Sequence, residues 1–263
     1  MRQSCKRELA ALMRGQLNEK QVASFDPIVA TVNSHVRDPQ LQGLQSAFIL
    51  HGPAGSGKTF LYNCLCSHLQ VQGKIVLCVA SSGIAALLLP GGRTAHSRFK
   101  IPLSNILNAV CNITSNYHLG QFVQKASLII WDEVLMHYKT CFAEVTQTLN
   151  DVYNSGEHPV FGRIPIVLSS DCAQLLPVIR RASWHATMLA SIRYFSIWAN
   201  LQVLKLSTSM RGLLLTMPIW SFSQSSKTWL QTSNYMVILN YLLIFVVIPM
   251  LINCVITYIL IHY

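Results

Sequence analysis

One octapeptide constrains this chain more than any other feature. Gly52-Pro53-Ala54-Gly55-Ser56-Gly57-Lys58-Thr59 fits the pattern GxxxxGK[ST] in full. It follows the short apolar run Ala47–His51 and opens a helical pattern that reaches about Gln70. That context, strand before and helix after, separates a phosphate-binding loop from an ordinary glycine-rich turn. The glycines let backbone N–H groups turn inward around phosphate oxygens. The start of the following helix adds the positive end of its dipole. Lys58 can reach the β- and γ-phosphates of a nucleotide, and the Thr59 hydroxyl can ligate Mg2+.

Further along, Lys74–Ala80 and Ala126–Trp131 read as buried strands, with a helix over Ser81–Leu89 between them, ended by Pro90-Gly91-Gly92. Tyr138–Tyr153 has helical periodicity, and Ile164–Leu168 and Leu201–Leu206 are strand candidates. Residues 1–44 are polar and helical, with loop signals at Asp26-Pro27 and Asp38-Pro39; residues 101–124 are weakly patterned. Strands alternating with helices predict an α/β fold with a parallel sheet. The second strand of that reading ends at Asp132-Glu133, about 70 residues beyond the phosphate loop. An aspartate at a strand's carboxyl end can hold Mg2+, and a neighbouring glutamate can polarise an attacking water. Alone, such a pair is a solvated strand end; beside a phosphate loop it completes a nucleoside triphosphatase site.

Composition matters here because it is uneven. All 10 acidic residues lie at or before Asp171, and 19 of the 20 lysines and arginines lie at or before Arg211. The remaining segment carries one charge, Lys227, and ends in the apolar run Tyr235–Tyr263. No acidic residue occurs from Gly73 through Ser127, where Arg93, Thr94, His96, Arg98 and Lys100 form a basic, hydroxyl-bearing loop. A basic excess fits a phosphate backbone as partner. The low charged fraction, 11%, and 51% hydrophobic content exclude a disordered chain. The 8 cysteines form no CxxC pair, which argues for reduced, mostly buried thiols over a metal centre.

Several further segments resemble the petite-integration-frequency family of DNA helicases, particularly those of Helitron transposons. Leu17-Asn18-Glu19-Lys20-Gln21 is similar to the family's adenine-reading motif, with Gln21 as reader. Val79 through Phe99 is similar to its single-strand-contact motif, and Leu128–Glu133 to its acidic motif. Ser169-Ser170-Asp171-Cys172-Ala173-Gln174 resembles the coupling motif, and Leu206–Arg211 the arginine motif. The likeness covers about residues 17–211. It implies RecA-like motor domains that hydrolyse ATP with Mg2+ and step 5′ to 3′ along single-stranded or forked DNA. No small-molecule substrate besides ATP is expected. Repair, recombination and telomere roles, and a nuclear location, are what the family implies.

Carried onto this sequence, the resemblance makes Lys58, Asp132, Glu133, Gln174 and Arg211 the catalytic set. Gln21 and residues Gly52 to Thr59 would bind ATP, with Thr59 and Asp132 on the metal. Ser81, Ser82, Gly83, Thr94, His96 and Arg98 would contact DNA. His96 has two open readings, a buried or capping histidine and a DNA or allosteric one; Phe99 either stacks on a base or packs.

The sequence departs from the family in three places. Ser169-Ser170 stand where the coupling motif has two glycines, and Ala173 where it has arginine. Ser209 replaces an asparagine in the arginine motif. Nothing after Arg211 resembles the second motor domain. The expected organisation is an N-terminal helical segment over 1–44, a first motor domain over 45–211 and an unmatched hydrophobic tail over 212–263. That tail is either a membrane anchor, with a candidate span at 237–260 and a membrane-associated protein, or a non-native appendage. The alternatives to a helicase are a non-motor ATP- and DNA-binding remnant and a membrane-anchored P-loop ATPase.

Overall fold

The computed structural model describes residues 2–37, 46–102, 110–153, 160–171, 177–179, 182–207 and 210. The chain divides into two compact units, Met1–Arg211 and Gly212–Tyr263, and every described residue belongs to the first. The candidate span at 237–260 and the loop signal at Asp38-Pro39 lie outside the described residues. Among the described residues, no helix is long and apolar enough to cross a membrane.

Two helices open the unit, α1 (Arg2–Gly15) and α2 (Glu19–Arg37). The alternation that follows is β1 (Ala47–His51), α3 (Lys58–Val71), β2 (Ile75–Ala80), α4 (Gly83–Leu87), β3 (Arg93–Thr94) and α5 (Ala95–Phe99). Then come α6 (His118–Gln124), β4 (Ala126–Asp132), α7 (Lys139–Tyr153), β5 (Ile166–Ser170), α8 (Trp184–Ala190) and β6 (Gln202–Lys205). All strand pairs are parallel, in the order β3-β2-β4-β5-β1-β6. The expected α/β fold with a parallel sheet is therefore present.

Successive side chains of a strand face opposite sides, so a sheet covered on both faces needs apolar residues at nearly every position. Ala47 and Ile49 of β1, Ile129 and Trp131 of β4, and Ile166 and Leu168 of β5 enter one core with Phe142, Val145 and Leu149 of α7. Phe48, Leu50, Leu128, Ile130 and Val167 enter the other, against Leu61, Leu65 and Leu69 of α3 and Phe25, Ile28 and Val32 of α2. The unbroken apolar strands seen in the sequence are this two-faced burial.

One expectation fails. The Asp26-Pro27 signal does not end a helix, because α2 runs through Pro27. An internal proline costs about 3 kcal/mol. Phe25, Ile28 and Val32 flank it at no more than 1% exposure, and each such side chain contributes about 1.5–3 kcal/mol. The buried stripe outweighs the lost hydrogen bond. Arg14 adds a surface ion pair to Asp26 at 3.1 Å.

In a parallel sheet the loops at the carboxyl ends of the strands gather on one edge, where ligands bind. Here that edge carries the loop after β1, the turn after β2, Asp132-Glu133 after β4 and Asp171 after β5. The strand β5 separates β1 from β4, so the phosphate loop and the acidic pair stand two strands apart.

Candidate functional site

Gly55 and Gly57 both adopt φ 82°, the left-handed region that glycine enters without a Cβ penalty. Gly57 then serves as the N-cap of α3, with Lys58 and Thr59 its first two helical residues. A Cβ on Gly57 would stand 2.4 Å from Gln21 Nε2, and one on Gly52 would stand 2.4 Å from Ser56 Oγ. Gly57 is thus constrained by both φ and space, Gly55 by φ and Gly52 by space. The Lys58 ammonium folds back onto the loop, donating to Gly52 O at 2.5 Å and to Pro53 O at 3.3 Å. Pro53 and Ala54 form the exposed crown of the loop, whereas Ser56 is buried.

Two distant segments grip this loop. Gln21, 2% exposed, donates from Nε2 to Gly57 O at 3.4 Å. Its Oε1 accepts from Asn18 N at 3.0 Å while Asn18 Oδ1 accepts from Gln21 N at 2.9 Å. This reciprocal pair caps the start of α2 and fixes the amide on the phosphate loop. From the other end of the unit, Met210 N donates to Gly55 O at 2.8 Å, and Asn18 Nδ2 reaches Met210 Sδ at 3.4 Å. The adenine-motif residue, the phosphate loop and the residue before Arg211 thus meet at one place. Arg211 and Gln174 lie outside the described residues.

Beneath the loop sits a buried polar cluster. Asp132 closes β4 at 9% exposure, beside Tyr62 of α3 and Ser169 of β5. Burial raises the Asp132 carboxyl above its ordinary range, partly offset by Ser169, the Glu133 backbone, Lys58 and Tyr62. Even so, Asp132 Oδ1 and the hydroxyls of Tyr62, Ser169, Ser170 and Ser56 lack well-formed hydrogen bonds among the described residues. Buried oxygens in that condition call for a ligand or water, and hard oxygen donors suit Mg2+. Thr59 and Asp132 therefore fit a divalent cation. When bound, it would neutralise charge on the phosphate oxygens.

Glu133 is half-buried and has φ 55° and ψ 41°, left-handed for a non-glycine residue. Such strain clusters at functional positions. Burial raises its carboxyl, Asp132 and Asp171 push it further up, and Lys58 pulls it down. A raised carboxyl suits a group that must accept a proton from water.

The residues expected to contact a DNA strand line the turn after β2 and the segment through α5. The Ser82 hydroxyl caps α4 by accepting from Ala85 N at 3.2 Å, and Thr94 caps α5 by accepting from Ser97 N at 3.3 Å. Each hydroxyl keeps its own proton for donation to a phosphate. Gly83 and Lys100 are exposed. Arg98 is tied down: it donates to Gly91 O at 3.3 Å and lies 5.6 Å over the Phe122 ring. Phe99 packs, at 1% exposure and 5.6 Å from Trp131, so the base-stacking alternative is out.

The chain is matched by the PIF1-like helicase family over residues 16–228. It belongs to that family. The match extends past Arg211 into the segment that the sequence alone leaves unassigned. Two curated relatives are similar over 164 residues. The ATP-dependent DNA helicase PIF1 of Trypanosoma brucei brucei is 29% identical, over 60% of this chain and 16% of its own length. The ATP-dependent DNA helicase Pif1 of Psychrobacter sp. is 30% identical, over 62% of this chain and 24% of its own. Among solved structures, Bacteroides Pif1 bound to ssDNA superposes with TM-score 0.53 at 26% identity, over 70% of this chain and 42% of that one. Candida albicans Pif1 helicase gives 0.58 at 22% identity, over 74% and 40%, a likeness of fold. The chain thus spans less than half of each of these relatives.

Three participants were given no role by the sequence motifs: Tyr62 under the acidic pair, Asn18, which lies inside the adenine-reading motif and pairs with Gln21, and His137 behind Glu133. Asn18 alone had a signal, its three-residue spacing from Gln21 at a helix start.

Proposed function

We propose that this chain is the first motor domain of a Helitron-type helicase, binding ATP with Mg2+ in the 52–59 loop and single-stranded DNA along 81–100. The observation carrying this is the convergence of Gln21, Gly57, Gly55 and Met210 on one loop above Asp132. The second proton on Gln21 Nε2 and the second lone pair on Oε1 can meet an adenine edge. Lys58 would turn from Gly52 O to the β- and γ-phosphates. Glu133 would take a proton from the attacking water, and Gln174 and Arg211 would sense and stabilise the γ-phosphate. Ser81, Ser82, Gly83, Thr94, His96 and Arg98 would follow the DNA backbone. In this reading translocation runs 5′ to 3′ and the working protein is nuclear.

A stepping motor needs two domains that open and close on the strand. The chain alone should bind ATP and oligothymidylate yet fail to displace a strand. Robust ATP-dependent unwinding of a forked duplex by the purified monomer would refute the one-domain reading. A second reading, an ATP- and DNA-binding remnant, is favoured by Ser169 and Ser170, whose buried hydroxyls occupy the coupling strand. Stimulation of ATP hydrolysis by single strands separates the two, since a remnant shows none.

A further inference from the structure

The helix α4 turns its apolar side to water. Ile84, Leu87 and Leu88 are 58%, 85% and 51% exposed, and Leu87 is the most exposed large apolar side chain among the described residues. Leu88, the C-cap, keeps right-handed helical dihedrals, so the spacing i, i+3 and i+4 sets all three on one helical face. Of the five residues of α4 only Ala86 is buried. Ala86 and Leu89 hold the helix to the core that also contains Cys78 and Ala80. Gly92 closes in from below, where a Cβ would stand 2.2 Å from Ala86 O. The aliphatic face is therefore left over from packing and sits on a fixed backbone. Single exposed apolar residues need no explanation, but a contiguous group on one element points to a partner.

The surroundings of the face say what covers it. Ser82 caps α4 and Thr94 caps α5. The register of β2 with β3 sets Ala80 beside Thr94, so the two caps open from adjacent strand ends. At about 1.5 Å per residue, Leu87 lies about 7–8 Å along the helix from Ser82. Arg93, Ser97 and Lys100 are exposed, and Arg98 is held against Gly91 O at 3.3 Å. No acidic residue occurs from Gly73 through Ser127. An aliphatic face bordered by hydroxyls and cations, with no carboxylate near it in sequence, suits a partner that is anionic along one side and apolar along the other. A single nucleic-acid strand has that character, because its unpaired bases bury their faces against apolar side chains. Phe99 is the only Phe, Tyr or Trp from Ser81 through Lys100, and it is buried. Bases following this segment must find aliphatic side chains instead of a ring.

We infer that Ile84, Leu87 and Leu88 form a platform on which the bases of a single strand lie while its phosphates pass Ser82 and Thr94. Contact of this kind is tolerant of sequence, since every base offers the same kind of face. The inference rests on the proposed function, and its test uses the full chain. Affinity is measured at one fixed salt concentration for two strands of about twelve nucleotides. One is oligothymidylate; the other is an abasic strand with the same phosphates and no bases. The unaltered protein should prefer oligothymidylate by about tenfold. A variant carrying Ile84→Ala, Leu87→Ala and Leu88→Ala keeps the helix propensity and the charge. Its preference should fall to about twofold or less, while its affinities for the abasic strand and for ATP stay within about twofold of the unaltered protein.

A preference that survives in the variant would overturn the inference. So would a variant that loses the two strands in equal proportion, which is the mark of a merely structural role. Sedimentation velocity supplies a further check: self-association that the substitutions abolish would give the face to a second copy and overturn the platform. An unaltered protein that binds both strands equally also overturns it, and leaves the proposed function standing. Failure to bind either strand strikes down DNA binding itself, and the inference with it. Should the triple variant not fold, Leu87→Ala is judged on the preference alone, which should drop at least about twofold; an unchanged preference is again the overturning result.

Discussion

The phosphate loop and the strand-contact segment are both glycine-containing turns between a strand and a helix, and they are built on opposite plans. Around the loop, backbone conformation does the work. Gly55 and Gly57 are left-handed, and their carbonyls are held by Met210 and Gln21 from the two ends of the unit. In the strand-contact segment, side chains do the work: Ser82 and Thr94 cap two five-residue helices, while Gly83 meets no atom within 4 Å of where a Cβ would stand. A cradle for a small, invariant anion can be rigid. In the proposed reading the second segment meets an irregular polymer, to which it must present adaptable donors.

Substitution at the two glycines is the sharpest way to break this contrast. Gly57→Val forces a branched side chain into the left-handed region and against Gln21, and should cost about 2–4 kcal/mol of stability. Nucleotide affinity should fall by about 100-fold or more. Thermal melting and a nucleotide titration check both, and a stable variant that still binds nucleotide would dissolve the distinction.

Asp132→Asn should have a smaller effect, of unexpected sign. A carboxyl raised by burial is held more tightly protonated in the folded state than in the unfolded one. Its contribution to stability therefore falls as pH climbs from the ordinary aspartate range through the raised value, and the deficit persists at pH 7. Without Mg2+, the variant should melt above the unaltered protein at pH 7, with the gap closing as pH approaches 4. Added Mg2+ should stabilise the unaltered protein only. A variant that melts lower at pH 7 without Mg2+ would show that Asp132 is compensated within the protein.

The smallest effect belongs to Gly83→Ala, which should raise stability by about 0.4–1 kcal/mol by stiffening the unfolded chain. Destabilisation comparable to that of Gly57→Val would mean the strand-contact turn is as constrained as the phosphate loop.

The same contrast explains what could be read from the sequence. Loop residues act through backbone geometry in a fixed order, so GxxxxGK[ST] and the apolar strands reveal both the cradle and the two-faced sheet. Asp132 and Glu133 follow because they end a strand. Phe99 was ambiguous because aromatic residues serve packing and stacking equally well, and only the third dimension sets it against Trp131. Ser81–Leu89 looked like one helix, yet α4 spans only Gly83–Leu87, since Ser82 spends its hydroxyl as a cap. Pro27 misled because a local rule was outweighed by burial of its neighbours. His137 was invisible because its partners come from the turn after β2, from β4 and from α5, which no single stretch of sequence brings together.

The sheet order also has a consequence in time. β1, which carries the phosphate loop, pairs only with β5 and β6, through residues 166–170 and 202–205. Met210 closes the loop later still in the chain. A ribosome adds about 5–20 residues per second, so β1 waits on the order of ten seconds for its first neighbour. During that interval its apolar edge is bare and its pairing is wholly non-local, the slowest kind to form. The nucleotide cradle is thus among the first parts of this unit to be synthesised and among the last to be assembled, and a nascent chain is most exposed to aggregation at the element that defines it.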